Sequence, residues 1–115
     1  MRRFLWMLAM TAALFVASAV HANPPSAIHA TYDAGRGELN VLVQHVVTDR
    51  ESHYIDKVVV KKNGAEVATK SFTAQTSHRD QVMPPFKIPA VSGDAFTILA
   101  TCNKFGKGEQ QVVVK

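Results

Sequence analysis

The chain has 115 residues, enough for one small domain and too few for two. Hydrophobic residues make up 47%, which excludes a disordered chain, and a single cysteine excludes both an internal disulfide and a four-cysteine metal site. The formal net charge of +4 comes from 13 Lys and Arg against 9 Asp and Glu, and part of it sits at the amino end.

Arg2 and Arg3 precede Phe4 to Met10 and then Ala12 to Val20, a stretch in which Ser18 is the polar interruption. It exits through Val20-His21-Ala22, and Asn23-Pro24-Pro25 then breaks any helix. A charged start, an apolar middle and a small-residue exit predict a secretory signal peptide over residues 1–22, cleaved after Ala22. The apolar run is about 16 residues, short of the roughly 20 that a bilayer core requires. No cysteine stands at the exit to carry a lipid. Residues 23–115 are then expected as one exported domain of 93 residues, in the periplasm or outside the cell. Its basic residues fall to 11 against 9 acidic, with no cluster of the kind nucleic acids select. No further stretch is apolar enough to hold it in a membrane, and the expected partner is a periplasmic protein or an electron donor.

Past residues 23–27, expected as a loose leader, the chain reads as strands. Residues 28–33 form a short first one, and Ala34-Gly35-Arg36-Gly37 turns the chain. From residue 39 to 47, Leu39, Val41, Val43, His45 and Val47 alternate with Asn40 and Gln44, which predicts a strand buried on one face. Thr48 to Ser52 is a polar loop. A strand over 53–61 follows, then Asn63-Gly64, the strongest short-range hairpin signal, and a return over 66–72. Residues 73–81 are polar with no clear period. Pro84, Pro85 and Pro89 confine residues 82–89 to an edge strand or an extended loop. Residues 95–102 alternate strongly, with Phe96, Ile98, Ala100 and Cys102 on one face. A glycine-bearing loop leads to a last strand over 110–115. About seven short strands predict an all-β, immunoglobulin-like antiparallel sandwich, with a small barrel or a cupredoxin-type sandwich as the alternative.

Three strand ends carry chemistry. His45 ends one strand, His53 begins the next and Cys102 ends a third. Imidazole and thiolate together suit iron, copper, zinc or nickel. The bland alternative is a packed, hydrogen-bonded His45 and a Cys102 that behaves as a small hydrophobe. The position of Cys102 before a glycine-containing loop favours its partial exposure. A lone cysteine cannot run an internal dithiol cycle. No haem-attachment, phosphate-loop, dinucleotide or serine-elbow motif is present. No histidine follows Cys102, which argues against an ordinary cupredoxin.

His45 with Ser52-His53-Tyr54-Ile55, Val58-Val59-Val60 and Asn63-Gly64, followed by Ile98 to Gly106 with Cys102-Asn103, resembles the ferrous-iron domain of desulfoferrodoxin and neelaredoxin, the superoxide reductases. The resemblance covers roughly Glu38 to Lys115. It implies an immunoglobulin-like fold and a mononuclear non-haem iron held by four histidines and an axial cysteine. A sixth position is open to superoxide in that family. Matched motif to motif, His45 and His53 would be metal-ligating histidines and Cys102 the thiolate. The family's histidine after Cys-Asn-x is Phe105 here, and its early Glu-Lys-His element has no counterpart, His29 and His78 being the spare imidazoles. A weaker resemblance, through the same histidine segment with Pro85-Phe86 and Gly93-Asp94, is to the small sandwich subunit of the periplasmic sulfur-carrier complex. That likeness implies a non-catalytic binding or scaffold protein.

Overall fold

Period-two burial decides where the chain is extended. The computed structural model describes residues 24–115; the expected signal peptide and its cleavage point lie outside the described residues. Ala27–Asp33 (β1) and Glu38–Gln44 (β2) form an antiparallel hairpin with Ile28 opposite Val43 and Tyr32 opposite Leu39. Ile55–Lys62 (β3) and Ala65–Ser71 (β4) form the second hairpin. Its two-residue turn puts Asn63 at φ 51° and Gly64 at φ 89°, the left-handed pair that matches strand twist. Asp80–Val82 (β5) and Phe86–Lys87 (β6) both pair with the free side of β2. Ala95–Cys102 (β7) and Lys107–Val113 (β8) complete the set of described strands.

These make two four-stranded antiparallel sheets, one with β2 between β1 and the β5/β6 edge, the other in the order β4-β3-β7-β8. The arrangement is β-sandwich-like. Leu39 and Val43 from the first sheet are fully buried, as are Val58, Val60, Phe96 and Ile98 from the second. Each such side chain contributes about 1.5–3 kcal/mol of burial, which is what holds the sheets together. Ile55 and Val58 both point inward although they are three positions apart. A register shift between Ile55 and Lys57 spends Asp56 as a bulge and keeps both on the core face.

Several boundaries differ from the sequence expectation, among them the third strand, which begins at Ile55 and leaves His53 in the loop before it. The second strand ends at Gln44, although burial alternates on through His45 and Val47. The backbone N–H groups of those two residues donate to the carbonyls of Arg79 and His78, at 2.9 and 2.8 Å, in the neighbouring loop. The proline-bearing edge is two short strands instead of one, because Pro84 and Pro85 have no N–H to give the ladder. The last strand begins at Lys107, three residues early, with Gly108 opposite Ala100. The leader is not loose over its described part. Ser26 N–H donates to Gln44 O at 2.9 Å, and a Cβ on Gly106, at φ 96°, would meet Pro24 at 2.8 Å.

The Asn63-Gly64 turn is tied across to the turn before β7. Asn63 Nδ2 donates to Asp94 Oδ1 at 2.9 Å, and Ala95 N–H donates to Asn63 Oδ1 at 2.9 Å. Asp94 Oδ2 also accepts the Val91 N–H at 2.9 Å. That backbone bond, and then the Asn63 amide, hold the Asp94 carboxyl below its ordinary 3.8. The folded state thus favours the carboxylate. Its contribution is present above the unfolded value and is lost as pH falls through the lowered folded one. Asp94→Asn is expected to flatten the acid limb of a stability–pH profile read by denaturant midpoints at pH 7 and pH 3. Parallel losses in variant and parent would refute the assignment.

Candidate metal centre

The pairing of β3 with β7 places Ile55 opposite Cys102, so the start of one strand lies beside the end of the other. His53 stands two residues before β3, at the close of the polar loop, where its N–H donates to Asp49 O at 2.9 Å. His45 follows β2, in the facing sheet, on the inward side of its alternation. The three converge. One ring nitrogen from each histidine and the Cys102 sulfur all lie within 4.8 Å of one another. The two rings stand edge to face, centroids 4.9 Å apart at 84°.

A buried amide orients His45. Gln75 Oε1 accepts the Ile55 N–H at 3.2 Å and lies 2.7 Å from His45 Nδ1. Gln75 Nε2 donates to the carbonyls of His45 at 2.6 Å and Ser77 at 2.9 Å. Two carbonyls and one backbone donor fix which end of the amide is oxygen, so Nδ1 of His45 carries the hydrogen and donates. The lone pair is then on Nε2. This is how ligating histidines are held, with the second ring nitrogen spent on an outer partner.

Asn103 sets the distance between His53 and Cys102. Its Oδ1 accepts the Tyr54 N–H at 2.9 Å and its Nδ2 donates to Ser52 O at 3.1 Å, gripping the residues on both sides of His53. Its own N–H donates to Tyr54 O at 2.9 Å. On the other side, Lys104 N–H donates to Cys102 Sγ at 3.4 Å. Cys102 N–H closes the hairpin onto Gly106 O at 2.9 Å.

His53 Nε2 is buried and has no hydrogen-bond partner among the described residues. Burial first, then the charges of His45 and Lys104, push the His53 imidazole below its ordinary 6.5, toward the neutral, lone-pair form. A buried polar nitrogen left without a partner costs stability unless something supplies the bond. The donors fit a metal ion. Nitrogen at about 2.0–2.1 Å and sulfur at about 2.3 Å in a tetrahedral or trigonal shell set neighbouring donors about 3.3–3.8 Å apart, and the three donors here already lie within 4.8 Å of one another.

The other candidates lie elsewhere. His29 is exposed on β1, opposite Leu42, and His78 is exposed with Nδ1 3.3 Å from Val47 O. Neither belongs to the group. Phe105 is 64% exposed on the β7–β8 loop. Cys102 is 4% exposed, not half-open at a rim, because it continues the buried face of Phe96, Ile98 and Ala100. Sequence reasoning missed Gln75, which lies in the segment without a period and meets His45 only through the fold. It also gave Asn103 no role, although the Cys-Asn pair itself was the available signal.

No family model and no curated protein matches the chain. Among solved structures, a superoxide reductase in its oxidised state matches at 17% identity and a TM-score of 0.46, over 81% of this chain and 88% of that one.

His45→Ala is expected to cost about 2–4 kcal/mol, because it strips a fully buried amide of its partner. His53→Ala removes a nitrogen that bonds nothing and should cost about 1 kcal/mol or less. Urea denaturation of the metal-free variants checks the order, and equal losses would refute it. Gln75→Leu leaves Ile55 N–H and His45 O without the amide and should match the His45 loss, at about 2–4 kcal/mol, in the same assay.

Proposed function

We propose that the protein is an exported metalloprotein holding one transition-metal ion between His45, His53 and Cys102, and that it works as a redox protein with a separate protein as electron donor. The observation that carries this reading is the buried His53 Nε2, without a partner, in a group whose other donors are an oriented imidazole and a sulfur. Export is part of the reading and is supported by Arg2, Arg3 and the apolar run that ends at Ala22. A bound ion would supply one-electron exchange, its potential tuned by the thiolate and by the bonds around it. The chain's own part is to hold the donors, through Gln75 and Asn103, and to keep bulk water from them.

Superoxide reduction at iron is the second reading, favoured by the two motifs around His53 and Cys102-Asn103. The family pattern requires four imidazoles. Two are in the group here, His29 and His78 stand outside it, and Phe105 has no donor atom. The first reading therefore needs less than the second.

Elemental analysis of protein from its native host tests the proposal. About one equivalent of a transition metal is expected in the parent and none in Cys102→Ala, with the far-ultraviolet circular dichroism of both unchanged. Metal-free protein that also takes up no iron, copper, zinc or cobalt from solution would end this reading.

A further inference from the structure

From the number, softness and charge of the assembled donors, we infer that the ion this site selects is Cu(I), held in a three-coordinate arrangement by His45, His53 and Cys102. The inference rests on the metal-site reading above and goes beyond it by naming the ion.

Donor count comes first. Two imidazole nitrogens and one sulfur form the group, and no carboxylate joins it among the described residues. Iron(II) and zinc(II) take four or more ligands, so each would need the site to admit water or a further side chain. His45 is fully buried and Cys102 is 4% exposed, which leaves little room for water beside them. Cu(I), a closed-shell soft ion, is satisfied by thiolate and imidazole donors in low coordination.

Charge decides in the same direction. With neutral imidazoles and a thiolate, Cu(I) gives a net-neutral assembly, the thiol proton leaving to solvent as the Cu–S bond forms. A divalent ion leaves one uncompensated positive charge among buried groups, which is costly to desolvate.

The test is an anaerobic titration of the metal-free protein with Cu(I) against bicinchoninate, with parallel titrations of Zn(II) and Fe(II). Copper K-edge absorption of the loaded protein is recorded alongside. The expected result is one Cu(I) per chain, an edge and scattering pattern of one sulfur and two nitrogens, and retention of copper in an excess of Zn(II) or Fe(II). His53→Ala and Cys102→Ala should each weaken Cu(I) binding more than about 100-fold. His29→Ala and His78→Ala should leave it unchanged. A copper shell of four or more donors would overturn the inference, as would zinc or iron displacing copper or equal Cu(I) affinity in His53→Ala. In the first two cases the metal-site reading stands, whereas equal affinity in His53→Ala would remove His53 from the site and overturn both. Binding of no metal at all would overturn both.

Discussion

The side-chain amide of Gln75 is the interaction on which this end of the molecule depends. It takes the Ile55 N–H, orients the His45 ring, and gives its two hydrogens to the carbonyls of His45 and Ser77. Its backbone is held as well, with Gln75 N–H donating to Arg50 O at 2.9 Å and Arg50 Nη1 donating to Gln75 O at 3.1 Å. Each bond is worth about 1 kcal/mol net, but the amide is buried, so losing any one leaves a desolvated group behind. The loop that carries Gln75 has no apolar period to hold it in place. Its bonds to the start of β3 and the end of β2 do that instead.

This wiring joins the two sheets at the end of β2 and the start of β3. Leu39 and Val43 pack against Val58 and Ile98 in the body of the sandwich, but at the end of β2 a histidine occupies the next inward position. His45 comes from the first sheet, while His53 and Cys102 come from adjoining ends in the second. A ligand bound between them would bridge sheets that share no backbone hydrogen-bond ladder. Binding that requires the folded state adds its free energy to folding, so such an ion would act as a cross-brace as well as a cofactor.

Much of this was legible from period-two alternation and turn chemistry. The inward faces of the second and seventh strands, the Asn63-Gly64 hairpin and the proline-broken edge all follow from local pattern. So does the position of His45, His53 and Cys102 near strand ends. What local pattern could not deliver was long-range. The bulge at Asp56 changes which side chains of β3 face the core, and it appears only when β3 is set against β7. Gln75 meets His45 across thirty positions of chain, in a segment whose polarity reads as an ordinary surface loop. The glycine-containing loop after Cys102 points to partial exposure, whereas the buried face that Cys102 continues decides it. The packing of Pro24 against Gly106 is likewise a contact between the two ends of the domain, invisible to any window of sequence.

Burial of the donors also bears on what kind of chemistry this corner can host. A site that turns over a small anion needs a ligand position open to solvent and positive charge to draw the anion in. Lys104 offers the charge, but His45 and Cys102 are sealed by the sheets, and Asn103 draws the His53 loop down over the β7–β8 hairpin. Those features suit an ion held by its protein donors alone more than one that shares its shell with solvent. The same features oppose an open substrate position unless the 102–106 loop moves. That loop turns at Gly106, the position at φ 96° against which Pro24 is packed, so the loop that flanks the candidate site also carries the contact that anchors the start of the described chain.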